Sequence, residues 1–314
     1  MRAVTVSKFG EAPSVTTLSA PDPGPGQVLI KLAAAGINPM DAKLASGEWT
    51  PAPVTFPMVL GVDGAGVVEA LGEGTTRFSP GDRVFGQLFI APIGSAGTYA
   101  DYVAVTAEAP LALVPEGVDL VEAAAAPTAG ATGLSLVDLV EPIDDQVVLI
   151  VGAGGGVGSF ATQFAVEAGA RVIANAYSSA VERMRSYGVE QTIDHTSVSL
   201  EEAVRSAHPG GVDVLIDLVN DAKAFASAAS LVRPGGTAVT SQYVADLEAL
   251  KASGVRGVNF ALQTTSELIE RVGDALAAGA IVEPPITRIT LDDVPSVFAS
   301  LGQSRANGKT VIVL

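Results

Sequence analysis

The opening Met1-Arg-Ala-Val-Thr-Val6 alternates apolar and polar positions like a strand, and short apolar-rich runs recur at 28–34, 64–71, 83–89 and 99–105. Each run is bounded by turn clusters such as Pro21-Asp-Pro-Gly-Pro-Gly26 and Ser79-Pro-Gly-Asp82, the punctuation expected between strands. Residues 1–122 therefore read as a β-rich, barrel-like domain.

From about residue 123 the period changes. An Ala-rich helix at 121–140 is followed by a continuous apolar strand at 147–151, a helix at 157–168, and strands at 171–174, 212–217, 237–240 and 255–260. Fully apolar strands alternating with helices predict right-handed βαβ units and a parallel sheet covered on both faces. Residues 123–263 thus read as a doubly wound nucleotide-binding domain. The remainder, with a helix at 266–278, a strand at 286–289, a short helix at 294–301 and a last strand at 309–314, is too little to fold alone. It is expected to return to the first domain, so that 1–122 and 264–314 form one unit.

The turn between the first parallel strand and its helix reads Val147-Val-Leu-Ile-Val-Gly-Ala-Gly-Gly-Gly-Val-Gly-Ser159. Glycines there let the backbone approach a pyrophosphate, and the helix N-terminus supplies N–H donors. Gly152, Ala153, Gly154, Gly155, Gly156 and Val157 are the candidate cradle, in a register of Ala153-x-Gly155-x-x-Gly158 or Gly152-x-x-Gly155-x-x-Gly158. A tight packing turn with no ligand is the alternative. NAD-binding units carry an acid about 20 residues on, at the end of the second strand. Here that stretch is Ala174-Asn-Ala-Tyr-Ser-Ser179, and the next acid along the chain is Glu182. Asn175, Ser178 and Ser179 can donate hydrogen bonds to a ribose 2′-phosphate, with Arg183 as a more distant charge, so NADPH is favoured. A merely solvated polar turn is the competing reading.

Charge and composition narrow the partners. Lys and Arg number 18 against 34 Asp and Glu, a formal charge of −16. Such a surface repels nucleic-acid phosphates and anionic lipid. No apolar run reaches the length of a membrane span and the N-terminus has no secretory signal, so a soluble, cytoplasmic protein is expected. There is no cysteine, which removes disulfides, thiolate nucleophiles and Cys-built metal sites.

Several segments together resemble the medium-chain dehydrogenase/reductase superfamily, specifically its zinc-free quinone oxidoreductase (zeta-crystallin-like) branch. They are Ala34-Ala-Gly-Ile-Asn-Pro-Met-Asp41, Gly61-Val-Asp-Gly-Ala-Gly-Val-Val-Glu-Ala-Leu-Gly72, Phe78-Ser-Pro-Gly-Asp-Arg-Val-Phe85, Gly97-Thr-Tyr-Ala-Asp-Tyr-Val103, the glycine turn and Asn307-Gly-Lys-Thr-Val-Ile-Val313. The resemblance implies an α/β protein with a GroES-like β-barrel catalytic domain, a Rossmann domain, a substrate cleft at their junction, and a homodimer. Zinc-dependent relatives hold catalytic metal at places occupied here by Asn38, Val62 and about Ala126, none of them a plausible zinc ligand; no metal is expected. The cysteine-rich lobe for structural zinc is also missing, because 86–99 is a short connection.

Without a Lewis acid, a simple ketone is hard to reduce, because nothing strong stabilises the alkoxide. A quinone or an α,β-unsaturated carbonyl delocalises the incoming charge, which makes these the expected hydride acceptors. A non-catalytic, crystallin-like or sensory NADPH-binding protein is the alternative. Asn38 is the leading cleft residue, as oxyanion or cofactor donor, or else as a turn cap before Pro39. Asp41 reads as the cap or buried partner of the helix that follows. Tyr99 and Thr128 are further catalytic candidates, each with a packing role as its alternative, and the resemblance puts Thr128 near the nicotinamide. Leu218, Val219, Ser241 and Gln242, at carboxyl ends of parallel strands, are candidates for lining the nicotinamide and its ribose. Lys309 resembles a family position near the cofactor phosphates. His195 reads as a strand-end or turn residue and His208 as a solvated loop residue.

Overall fold

The computed structural model describes residues 1–141, 144–301 and 307–314. One sheet runs in the order Ile286–Ile289, Lys309–Val313, Gln27–Ile37, Asp63–Leu71, Arg83–Gln87, Leu111–Leu113, with Tyr102–Thr106 also paired to Gln27–Ile37. The eleven residues of Gln27–Ile37 span two neighbours: their first half pairs with Tyr102–Thr106 and their last four residues with Lys309–Val313. Register shifts at Leu29/Ile30 and Leu32/Ala34 against Asp63–Leu71 bend the strand between its two partners, as bulges do. A three-stranded sheet, Ser14–Thr17, Arg2–Val6 and Met58–Val59, packs alongside.

The second sheet is parallel throughout, ordered Gln191–Ile193, Arg171–Asn175, Val147–Val151, Val212–Asp217, Val232–Thr240, Arg256–Asn259. Its order reverses on either side of Val147–Val151, so the switch point lies at the glycine turn. All five residues of that strand are buried, as a central parallel strand requires. The fold class is thus a GroES-like domain joined to a Rossmann domain.

Three local expectations need correction. The helix expected at 121–140 is two helices, Leu120–Ala125 and Pro127–Val140. Pro127 has no N–H and takes the first helical position of a new segment, which re-aims the chain at Ala126. The run at 99–105 enters the sheet only at Tyr102, because Tyr99 instead accepts from the N–H of Val4 and donates to the carbonyl of Leu60, tying the small sheet to the large one. His208 is not a solvated loop residue. It closes the helix Leu200–Ala207, its side chain is 11% exposed, and its ring stands 3.8 Å from Glu190. His195 does sit in a turn, against the ring of Tyr177.

The two domains meet closely. Lys309–Val313 lies antiparallel to Gln27–Ile37, and just before it Gly308 bridges to Gly155, its N–H donating to the carbonyl of Gly154. Ala123, Ala124, Ala125 and Ala126 are all at most 1% exposed, so the short helix presses directly onto the sheet. At Gly36 a Cβ would overlap the carbonyl oxygen of Ala124. Among the described residues no helix is long and apolar enough to cross a membrane. Gly36→Ala is expected to destabilise the protein by about 1–3 kcal/mol, the usual cost of overpacking a rigid site, read as a lower urea midpoint with an unchanged slope.

Candidate active site

The strand Gln27–Ile37 ends where Asn38 and Pro39 turn the chain into the helix Pro39–Ser46. Asn38 does not cap that helix with its side chain. Asp41 does the local work, its Oδ2 accepting from the Asn38 N–H at 2.8 Å. The Asn38 amide is thereby released inward, where it is 4% exposed. Its Nδ2 donates to Asp63 Oδ2 at 2.9 Å, and its Oδ1 accepts from Lys309 Nζ at 2.6 Å.

Asp63 opens the strand Asp63–Leu71 and is completely buried. Thr128, in the first turn of Pro127–Val140, donates to it through Oγ1 at 2.6 Å and through its N–H at 3.1 Å. The Thr128 hydroxyl accepts in turn from Gln87 Nε2 at 2.7 Å, and Gln87 Oε1 accepts from the Thr264 hydroxyl. Lys309 is 6% exposed; its ammonium also donates to the carbonyl of Ile37 at 2.9 Å and stands 3.9 Å from Asp63. Burial pushes the Asp63 carboxyl up and the Lys309 ammonium down, and each opposes the other's shift by its charge. The Lys309 stem lies against Gly156, where a Cβ would come within 2.7 Å of Lys309 Cδ. One side chain thus touches the glycine turn with its stem and Asn38 with its head.

Tyr99, completely buried, donates its hydroxyl to Asp41 Oδ2 at 2.6 Å. Its contact with the cluster runs through Asp41. Asn38, Thr128 and Lys309 are gathered around Asp63, a residue for which the sequence alone gives no role. An acid in the otherwise small and apolar run Gly61-Val-Asp-Gly-Ala-Gly66 is the signal that was available. Gln87 and Thr264 carried no such signal.

The nucleotide side is built from the glycine turn. Gly152 has φ of 85°, a backbone open to glycine, and a Cβ at Gly158 would overlap the Gly152 carbonyl. Gly155 is the N-cap of Gly156–Glu167, so the N–H groups of Gly156, Val157 and Gly158 fall in a first turn that has no partners within its own helix. Ala153 donates its N–H to the carbonyl of Asn175. The Arg183 guanidinium donates to the carbonyl of Gly154 at 2.7 Å, and its buried Nε has no hydrogen-bond partner. Arg183 is therefore on the turn itself rather than at a distance. Asn175 is 4% exposed and its amide donates to the carbonyl of Ile193 at 3.3 Å. Ser178 and Ser179 are exposed. Asp194, from the end of the neighbouring strand, accepts from the Ser178 N–H at 3.0 Å and from both donors of Thr196, which hold its carboxyl below the usual range. On the other side of the sheet, Asp217 accepts from the N–H groups of Val219 and Asn220, and Gln242 donates to the carbonyl of Leu218 at 2.9 Å. Ser241 donates its N–H to the Asp217 carbonyl, and Val219 is 61% exposed at the rim.

The alcohol dehydrogenase GroES-like domain family matches residues 24–116, and the zinc-binding dehydrogenase family matches residues 156–271. A quinone oxidoreductase of Sus scrofa is 30% identical over 100% of this chain and 98% of its own length. An NADPH-dependent alkenal/one oxidoreductase of Arabidopsis thaliana is 29% identical over 91% of this chain and 72% of its own. Among solved structures, the quinone oxidoreductase of Pseudomonas syringae superposes with a TM-score of 0.88 at 26% identity, over 100% of this chain and 99% of that one. With the parallel sheet, the glycine turn and the GroES-like partner already established, the chain belongs to the medium-chain dehydrogenase/reductase superfamily, in its zeta-crystallin-like quinone oxidoreductase branch.

Removing one partner of the buried pair tests the arrangement. Lys309→Met leaves Asp63 buried without its counter-charge and is expected to cost about 3–5 kcal/mol. Lys309→Met combined with Asp63→Asn is expected to recover a large part of that loss, measured as a coupling energy in a double-mutant cycle by urea denaturation.

Proposed function

We propose that the protein is a zinc-independent, NADPH-dependent oxidoreductase that transfers hydride to a quinone or an α,β-unsaturated carbonyl. The observation that carries this reading is the cluster around Asp63. It fixes the Asn38 amide at the domain junction and is linked by Lys309 to the first residue of the helix that follows the glycine turn. Both named relatives, one acting on quinones and one on alkenals and alkenones, support the acceptor class.

The residues present fit a dinucleotide. The glycine turn leaves no room for a side chain at Gly158 and presents first-turn N–H groups that have no partner within their own helix, as a pyrophosphate requires. Bound there, NADPH supplies the hydride. Arg183, half-buried with an unpartnered Nε at the same turn, provides the positive charge that a 2′-phosphate needs. The positions where relatives would hold zinc do not fit the metal. Val62 and Ala126 carry no donor atoms, and Asn38 spends its oxygen on Lys309.

The protein's own contribution is then to hold and to orient. Asn38 Nδ2 has two hydrogens, of which Asp63 takes one; the second can be given to the acceptor oxygen as charge develops on it. Lys309 and Asp63 prevent the amide from rotating away, so this donor is aimed before the substrate arrives. Thr128 holds Asp63 in place and Gln87 holds Thr128.

Steady-state kinetics with a panel of quinones and enals tests the reading: reduction with NADPH is expected, with simple alcohols not oxidised at a comparable rate. Tight NADPH binding without turnover on any acceptor would favour the non-catalytic alternative instead. Asn38→Ala is expected to lower kcat about tenfold or more while leaving NADPH binding nearly intact, since one lost oxyanion donor costs at least about 1.4 kcal/mol in the transition state. Arg183→Gln is expected to weaken NADPH binding about tenfold while changing NADH binding little, read by nicotinamide fluorescence. Equal losses for both cofactors would remove Arg183 from phosphate recognition.

A further inference from the structure

The chain has a single tryptophan, and it lies partly open at the edge of the GroES-like domain. Trp49 follows the helix Pro39–Ser46 and is tied back to it, its N–H donating to the carbonyl of Lys43 at 3.2 Å. Its ring packs on that of half-buried Phe89, with centroids 5.8 Å apart and planes tilted by 41°, yet Trp49 is still 41% exposed. It is not an isolated surface ring. Phe9 and Phe56 meet edge to face at 5.1 Å, and the Phe9 ring crowds Gly47, two residues before Trp49, where a Cβ would come within 2.8 Å of it. Apolar surface residues scattered singly need no explanation, whereas a gathered set points to a ligand or partner.

Two routes lead from the polar cluster to this pair of rings. Gln87, which holds Thr128, is paired across the sheet with Asp63. The pairing continues one residue further, where the Leu88 N–H donates to the carbonyl of Val62 at 2.6 Å. Leu88 turns into the barrel core with Val84, so the alternation of an extended chain puts Phe89 on the side that Phe85 and Gln87 face. Phe85 there packs with the Rossmann core and against Gly273, which identifies that side as the domain junction. Phe89 thus stands about 7 Å beyond Gln87 along the wall of the junction, two residues of extended chain. From the other direction, the eight residues of Pro39–Ser46 separate Asn38 from the Trp49 segment by about 12 Å of helix. With a hydrogen bond of about 3 Å at the Asn38 end and a ring contact of about 4 Å at the Trp49 end, the gap takes about two fused rings.

Resting on the oxidoreductase reading, we propose that Trp49, backed by Phe89, is the stacking platform for the acceptor and selects fused-ring quinones over acyclic alkenals. The reacting carbonyl of such a quinone lies at the Asn38 amide, and its distal ring covers the exposed part of the indole. The face of an indole is negative, and a ring from which two carbonyls withdraw electrons is attracted to it in an offset stack. Phe89 already restrains the indole, so little side-chain freedom is lost on binding. An acyclic alkenal has no ring to lay on the platform. Trp49 touches no reacting atom: its role is specificity, not catalysis.

The platform is tested by fluorescence and by kinetics. With one tryptophan and no cysteine in the chain, the indole emission reports Trp49 alone and no thiol captures the quinone. Naphthoquinone, added with and without oxidised NADP, is expected to quench this emission along a saturable curve, where N-acetyltryptophanamide gives the straight line of collisional quenching. A straight line for the protein under both conditions overturns the platform. Trp49→Ala is expected to raise the KM for naphthoquinone about tenfold and that for hexenal about twofold at most, with kcat for naphthoquinone and NADPH affinity little changed. Trp49→Phe keeps a ring and is expected to restore most of the naphthoquinone affinity. Equal losses for the two acceptors, or no rescue by Phe, would make Trp49 a structural residue and overturn its selecting role. A wild type that reduces no acceptor overturns the oxidoreductase reading, and the quenching titration, which needs no turnover, then decides the platform by itself.

Discussion

A lysine ammonium and an aspartate carboxylate share an interior site with almost no exposure, and the rest of the junction follows from making that tolerable. Burying either ion alone costs several kcal/mol. Lys309 meets this with the carbonyl of Ile37, the oxygen of Asn38 and the nearby Asp63; Asp63 meets it with Asn38 and two donors from Thr128. These partners come from chain segments near residues 37, 63, 128 and 309, extended to 87 and 264 by the Gln87 amide. None can shift without stranding another. A polar network so nearly satisfied rigidifies its members, and rigidity is what a donor aimed at a developing charge needs.

That network closes only because the backbones approach unusually near. Gly36 admits the carbonyl of Ala124, and four consecutive alanines let the helix Leu120–Ala125 lie on the sheet, which brings Thr128 within 2.6 Å of Asp63. The break at Pro127 does the final aiming. It starts a new helix whose first turn points its N–H and hydroxyl donors at the carboxylate, instead of continuing the direction of the first helix. On the opposite side, Gly156 admits the stem of Lys309. The high glycine and alanine content is therefore an account of distances: small residues are where the two domains must touch.

The strands, the parallel sheet and the glycine turn were legible because their signals are local: apolar runs, turn clusters and a change of period. Asn38, Thr128 and Lys309 were legible through short motifs. Their common partner Asp63 was not assigned, since the contacts that define it join residues 25, 65 and 246 positions apart, and no window along the chain records them. Asp194 was missed for the same reason. The sequence signal for an acid lies along the chain just beyond Arg171–Asn175, whereas the carboxylate reaches Ser178 from the end of the adjacent strand. His208 was misread because a histidine beside Pro209 and Gly210 looks like loop; only the packing of the helix it closes covers its ring.

The electrostatics of the nucleotide turn reduce to a comparison between two side chains. A chain of net charge −16 is a poor host for an anionic dinucleotide in its average field, so attraction must be local. Arg183 reaches the carbonyl of Gly154 in the glycine turn, and Asp194, of opposite sign, accepts from the Ser178 N–H in the turn that follows Arg171–Asn175. Asp194 is partly exposed, and its carboxylate is already engaged by the Ser178 N–H and both donors of Thr196, with salt screening the field it sends beyond them. Arg183 is half-buried and tied to the carbonyl of Gly154, two residues before the first residue of the helix Gly156–Glu167. The helix terminus adds to the Arg183 charge with the same sign. The positive groups at the glycine turn are therefore Arg183 and the helix N-terminus, in a protein that as a whole is strongly negative.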